Sequence, residues 1–360
     1  MEPTLHAAVV GFGLGGQVFH APFLQATEGI ELTAILQRHG DQAAQAYPGV
    51  AIVRAMEELL TLPQLDLVAI STPPATHFPL AQQALEAGKH VVIDKPFVAT
   101  SEQAAKLIEL ARSKKLVLAA FQNRRWDGDF LTLKRVLASG DLGRLVSMES
   151  RFDRYRPELR GAIWKERDEP GNGLLLDIGS HLADQALALF GIPETVHAEV
   201  RYDREGTQVN DGFAIHLQYP RVHVSLHATL IAAAPGPRFT LHGTRGSYVK
   251  FGLDPQEDAL RGGAVLGSTT AAGLPWGTEP ESAWGKLTVV RESFTQERVV
   301  PTLPGDYRPY YENVRDAILG RARLAVPAEQ GWRILRLLEL ALESSRQQRT
   351  LSCEVLNAAP

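Results

Sequence analysis

Five short apolar runs punctuate the first third of the chain, LHAAVVG, IELTAILQ, LDLVAIS, HVVID and KLVLAAF, and helix-length stretches such as FPLAQQALEAG and SEQAAKLIELARSKK separate them. A strand buried on both faces reads as a continuous apolar run, whereas a half-solvated strand alternates. AAVVG, LVAI and HVVI are of the first kind, so the rhythm predicts a doubly wound parallel sheet with helices on both faces. Helix ends are marked as well. Gly88 closes a helix over residues 79–87, and Thr100 or Ser101 caps the next one.

Past about residue 123 the pattern changes. The helical segment FLTLKRVLASG leads into GRLVSMESRFDRY, and LLLDIGSHLADQALALFG precedes a series of strand-like runs: TVHAEVRYD, GFAIHLQY, RVHVSLHATLI, RFTLHG, GSYVKFG, KLTVVRES and RVVPTL. Strands in succession after a βα unit predict a mostly antiparallel open sheet in an α+β second domain. Residues 262–284, rich in Gly, Thr, Pro and Ser, read as a mobile loop, and two helices near 307–319 and 328–346 finish the chain. The pattern places a boundary between domains 1–122 and 123–360, and no internal repeat is visible.

Composition narrows the function. With 360 residues, 44% hydrophobic and 22% charged, the chain can bury the cores of two domains. A net charge of −4 supplies no global field for nucleic acid or an anionic membrane, which leaves small molecules as the expected partners. Cys353 is the single cysteine, and the N-terminal apolar run is short and lacks a basic start. A cytoplasmic setting is the expectation.

The first strand runs into Gly11-Phe12-Gly13-Leu14-Gly15-Gly16, a GxGxxG between a predicted strand and a helix. That context makes a dinucleotide site credible: one glycine for the turn, one for approach of the pyrophosphate, one for close packing. NAD sites usually place an acidic residue at the end of the second strand. Here Gln37-Arg38-His39 stands there, and the Arg38 guanidinium suits a 2′-phosphate, so NADP is favoured with NAD as the other possibility. Asp94, Lys95 and Pro96 follow the buried run HVVI, where parallel sheets bind their ligands. Asp177 and His181 lie four apart, on one face if the segment is helical. A metal is the lesser reading of that pair, because no third ligand is near and no cysteine cluster exists.

Together the glycine loop, the Asp94-Lys95-Pro96 tripeptide and the Asp177-x-x-x-His181 pair resemble the glucose-fructose oxidoreductase, inositol dehydrogenase and rhizopine catabolism family, Gfo/Idh/MocA. VFHAPFL, NRRWDGDF, RYRPEL, DIGSHLADQ, QEDALR and WGKLT look like its NADP-dependent scyllo-inositol 2-dehydrogenase branch. The resemblance implies a Rossmann domain, then an α/β domain whose open sheet serves in dimerisation, hence a homodimer or homotetramer. It implies Lys95, Asp177 and His181 as catalytic positions and a cyclic polyol or sugar as substrate. The family's tripeptide usually begins with Glu, where this chain has Asp94. Ser71, Thr72, Pro73 and His77 correspond to cofactor-lining positions. Asn123, Arg124, Tyr155 and Arg156 are substrate candidates, while the surrounding Arg151, Arg154 and Arg160 read as a solvated or ion-paired cluster. Two alternatives follow from the same resemblance, a non-catalytic sugar-sensing regulator and an NAD-dependent glycosidase.

Overall fold

The computed structural model describes residues 3–161, 164–269, 273–292 and 294–360, which form two compact units. The first holds residues 1–123, 307–333 and 360. Its sheet comprises β1 (Leu5–Val10), β2 (Ile30–Leu36), β3 (Ala51–Val53), β4 (Leu65–Ile70), β5 (His90–Ile93) and β6 (Leu118–Ala120) in the order β3-β2-β1-β4-β5-β6. All five pairings are parallel, and Ala7 to Val10, Leu67 to Ile70 and Val91 to Ile93 are buried, as continuous apolar runs require. The strand order reverses between β1 and β4, so the crevice for a ligand lies beyond their carboxyl ends.

Residues 307–333 return to this unit long after the chain has left it. Pro327 bridges antiparallel to Ala119, and the Ala120 N–H donates to the Val326 carbonyl at 3.2 Å. The otherwise open edge of the sheet is thereby covered. Helix Arg308–Ile318 buries Tyr310, Tyr311 and Val314, with Tyr310 edge-on to Phe121 at 4.7 Å. Periodicity could not show this return, because tertiary contacts make it.

The second unit holds residues 124–306 and 334–359. Its strands are β7 (Leu145–Arg151), β8 (Thr195–Arg201), β9 (Gly212–Gln218), β10 (His223–Thr229), β11 (Phe239–Gly243), β12 (Gly246–Lys250), β13 (Gly285–Arg291), β14 (Phe294–Val300) and β15 (Leu351–Ser352). They form one sheet, β14-β13-β12-β11-β7-β10-β9-β8-β15, antiparallel except for β7 with β10. One face is buried under helices Gly128–Ser139 and Gly179–Phe190 and the later turns of Ala328–Gln347, with Phe130, Leu182, Phe213, Leu226 and Leu337 in its core. In β10, buried Val224, Leu226 and Ala228 alternate with more exposed neighbours.

Short elements that escaped the sequence reading include β3, β15 and helices Gln42–Ala46, Met56–Leu60 and Gln256–Arg261. At two to six residues they are too short to show a period. The segment 262–284 is irregular apart from the turn Glu281–Ala283, and residues 270–272 of the expected mobile loop lie outside the described residues. Among the described residues no helix is long and apolar enough to cross a membrane, and no group of three His, Cys, Asp or Glu is placed to hold a metal.

Candidate active site

The first unit brings three strand ends together. Gly11 turns at φ +96°, and a Cβ there would collide with the Ser71 carbonyl, so only glycine lets β1 turn beside β4. A Cβ on Gly16 would strike the Gly11 carbonyl, and one on Gly15 would come within 2.7 Å of the Asp94 carboxylate. Gly13 faces open space, and Leu14 next to it is 51% exposed. These residues fit a dinucleotide whose pyrophosphate approaches the backbone at Gly13.

Beyond β2, Arg54 braces the loop that carries Arg38. It donates to the carbonyls of Gln37 and Gly40 at 2.8 and 2.7 Å and to the Asp41 carboxylate at 3.0 Å. Gln37 is buried, and its Oε1 accepts from the Ala43 N–H at 2.8 Å. Arg38 is exposed and makes no side-chain hydrogen bond or ion pair with the described residues. Arg54 was invisible to sequence reasoning, since only the fold brings it to this loop.

At the ends of β4 and β5 the Asp94 carboxylate is the hub. Its Oδ2 accepts from Ser71 Oγ at 2.9 Å and lies 3.4 Å from His20 Nε2, and its Oδ1 accepts from the Lys95 N–H at 2.7 Å. Burial pushes this carboxyl up. The hydrogen bond and charge of His20, with the charges of Lys95 and His77, outweigh burial and hold it well below the usual carboxylate range. His20 is fully buried, 2.6 Å from the Tyr311 hydroxyl through Nδ1 and 4.3 Å from the Phe121 ring. Burial pushes the Tyr311 phenol far above its ordinary value, so it stays neutral. The shorter Asp94, in place of Glu, is thus anchored by a histidine from the glycine-loop helix. Lys95 is half-buried, and its bond to Pro96 is cis.

His77 lies behind the same strand ends. It is fully buried, with Nε2 2.8 Å from the Thr72 carbonyl and Nδ1 3.0 Å from the Pro96 carbonyl. It stitches the Ser71-Thr72-Pro73 turn to the lysine loop. Burial lowers its pKa, against the opposing pull of Asp94 and the two carbonyls.

The second unit carries Asp177 and His181. The Asn210 carbonyl and side chain accept from the N–H groups of Leu174 and Leu175 at 2.8 and 2.7 Å, starting helix Leu174–Asp177. The spacing predicts one helical face, but the helix is interrupted at Ile178 and resumes as Gly179–Phe190. The His181 N–H bonds to the Ile178 carbonyl at 3.1 Å, a tighter turn than the α-helix. Asp177 is half-buried and 3.5 Å from Lys165 Nζ, and His181 is 3% exposed.

The substrate candidates separate. Arg124 is buried, 3.3 Å from Asp127 and 2.5 Å from Glu257, and its carbonyl accepts from Gln185 at 3.0 Å. These contacts build Arg124 into the scaffold of the second unit. Asn123 is buried as well, whereas Tyr155 is 60% exposed. Arg156 is half-buried, and burial, with Arg154 and Arg160 nearby, brings its pKa down to about 10.

A parallel sheet with a glycine loop at its switch point and a lysine at a neighbouring strand end defines a dinucleotide-dependent enzyme. The description "Oxidoreductase family, NAD-binding Rossmann fold" matches residues 5–122, and "Oxidoreductase family, C-terminal alpha/beta domain" matches residues 134–353. The chain belongs to this family, Gfo/Idh/MocA, and is an NAD-binding oxidoreductase. It is 43% identical over 351 residues to the uncharacterized oxidoreductase YdgJ of Escherichia coli K12, covering 98% of this chain and 99% of that one. It is 36% identical to scyllo-inositol 2-dehydrogenase (NADP(+)) IolW of Bacillus subtilis 168, over 98% of this chain and 96% of that one. The structure of an oxidoreductase of Yersinia pestis, 44% identical, superposes with a TM-score of 0.90 over 98% of both chains.

Proposed function

We propose that the protein is an NADP-dependent dehydrogenase that reversibly oxidises a secondary hydroxyl of a cyclic polyol or sugar, with scyllo-inositol as one candidate. The observation that carries the reading is Lys95, held at the end of β5 by the Asp94 anchor beside the glycine loop. The exposed Arg38, with no acidic residue at the end of β2, supports NADP, and the 36% identical NADP-dependent relative supports both cofactor and substrate class. The chemistry that NADP supplies when bound is hydride acceptance, so alcohol and NADP⁺ give ketone, NADPH and a proton.

The chain's own residues manage the proton and the charge. His181 accepts the hydroxyl proton, Lys95 holds the oxygen and stabilises the negative charge that develops on it, and Asp177 orients the histidine or a second hydroxyl. Lys95 and His181 can exchange the acid and base parts. Assembly as a homodimer or homotetramer belongs to this reading and is checked by sedimentation. The test of function is a panel of inositols, hexoses and their keto forms with NADP and NAD, followed by absorbance of the reduced nicotinamide. Stoichiometric NADPH with ketone supports the reading; hydrolysis without net cofactor turnover, or no turnover at all, overturns it.

A further inference from the structure

The helix-facing row of β7 is Met148 and Ser150, and Phe152, the residue just past the strand, continues it; all three are buried, and Phe152 shares its core with Leu182 and Ala183 of helix Gly179–Phe190. The chain then continues in register along β10, with Phe152 N–H on the His227 carbonyl at 3.0 Å and Arg154 N–H on the Thr229 carbonyl at 2.9 Å. Alternation therefore carries Arg154 onto the face that Phe152 occupies, the face of the helices bearing Asp177 and His181. Its guanidinium stands 4.9 Å from the Phe152 centroid, and that of Arg124 stands 5.0 Å from the same ring.

Arg154 differs from its neighbours in having no protein anion of its own. Arg124 is paired with Asp127 and Glu257, Arg261 shares Glu257 at 3.3 Å, and Lys165 holds Asp177. Arg154 is half-buried, and its side chain makes no hydrogen bond or ion pair with the described residues. Burial lowers its pKa, Asp177 and Glu257 oppose that from nearby, and Arg124 and Arg261 add to the lowering. Among the described residues, the charges that the ion pairs and electrostatics of this cluster bring together are six cations, Arg124, Arg154, Arg156, Arg160, Arg261 and Lys165, and three carboxylates, Asp127, Glu257 and Asp177. A partly desolvated guanidinium in a positive surplus is costly by itself, and its planar fork suits a carboxylate or a phosphate.

We propose that the substrate carries an anionic group, a carboxylate or a phosphate, besides the hydroxyl that is oxidised, and that Arg154, flanked by Arg156, receives it. This rests on the dehydrogenase reading above and, within its cyclic polyols and sugars, selects acids or phosphates in place of a neutral compound such as scyllo-inositol.

The test uses the full-length protein loaded with NADP and matched compounds that differ in charge: D-glucose, D-glucuronate and D-glucose 6-phosphate, and myo-inositol against an inositol monophosphate. An anionic member is expected to exceed its neutral partner roughly tenfold or more in kcat/KM, the size of one charge-assisted hydrogen bond. The uronate and phosphate arms separate the two anions. Arg154→Gln should raise KM for the anionic member by roughly tenfold more than for its neutral partner, and Arg154→Lys should restore part of the preference. Preference for the neutral members, or an equal effect of Arg154→Gln on both, overturns the inference while leaving the dehydrogenase reading standing. Calorimetric titration of the NADP-loaded protein with glucuronate and with inorganic phosphate covers the remaining case. If no compound turns over but an anion binds and Arg154→Gln abolishes that binding, the subsite stands and the dehydrogenase reading falls. If nothing turns over and neither anion binds, both fall.

Discussion

The two units solve the same problem, placing a few reactive groups, by opposite means. In the first, backbone does most of the placing: a glycine turn at φ +96°, parallel strand ends, and carbonyls of Thr72 and Pro96 gripped by one buried histidine. In the second, buried side chains do it. Arg238 is 2% exposed, donates to Ser150 Oγ at 2.6 Å and Gln185 Oε1 at 2.7 Å, and lies 3.4 Å from Asp129. Arg204 likewise ties Asp211 at 2.8 Å to Glu166 at 2.8 Å. Cofactor recognition needs one geometry that many chemistries share, which local turns and strand ends can specify. Substrate recognition needs charges at chosen points, which only long-range pairing supplies.

The largest expected effect tests whether the backbone-built unit carries chemistry or only binding. Lys95→Ala should keep the fold and NADP affinity and lower kcat by ~10²–10⁴, the usual cost of removing a general acid or base. Lys95→Arg should fail as well, since a planar guanidinium cannot replace a compact ammonium. His181→Ala should match Lys95→Ala, and the double variant should be little worse than either. Near-normal turnover of folded, NADP-loaded Lys95→Ala would leave the first unit with binding alone.

Next in size is the dependence of the second unit on its buried pairs. Arg238→Ala strands Asp129 in the core and should lower the unfolding free energy by about 3–5 kcal/mol. Replacing both partners, Arg238→Met with Asp129→Leu, should cost less than the single change. Urea titrations of the three proteins decide it, and a cost below about 1 kcal/mol for Arg238→Ala would put this pair among ordinary surface ion pairs.

Smaller again is cofactor choice. Arg38 is exposed on a loop braced by Arg54, so Arg38→Ala should weaken NADP by about 1.5–3 kcal/mol, roughly tenfold or more, and leave NAD nearly unchanged. Fluorescence titration with both cofactors checks it. Equal wild-type affinities would mean that the loop reads no phosphate.

What the sequence shows of each unit follows the same division. The strands β1, β2, β4 and β5, the glycine loop and the lysine at a strand end are all carried by contiguous residues, so their patterns can be read directly. Three of the features that escaped act across long stretches of chain: His20 meets Tyr311 across 291 positions, Arg54 meets Gln37 across 17, and residues 307–333 return to a unit the chain left after residue 123. Their residue types are ordinary at their own positions, and only burial and partnership give them meaning. The Asp177–His181 spacing is visible in the sequence, but the interruption at Ile178 is not, because Ile178 keeps a right-handed backbone, φ −104° and ψ −39°, and no glycine or proline at that position marks the break.

The smallest prediction sits at the purely local end. Helix Ser101–Ser113 buries Ala104, Leu107, Ile108 and Ala111, an i, i+3, i+4, i+7 stripe. Of the two caps the sequence offers, the structure uses Thr100: its backbone is extended at φ −141° and ψ 154°, and its Oγ1 accepts from the Gln103 N–H at 3.2 Å. Gln103 Oε1 in turn accepts from the Ala99 N–H at 3.3 Å. Thr100 is exposed, so its replacement opens no cavity and leaves no charge buried. Thr100→Ala should cost about 1 kcal/mol of stability and Thr100→Gly only a few tenths, since glycine lets water reach the freed N–H groups. Turnover of the folded variants should equal that of the parent. If Thr100→Ala instead cost as much as Arg238→Ala, local and long-range contributions would be of one size, and the contrast between a unit held by its backbone and a unit held by its buried charges would not survive.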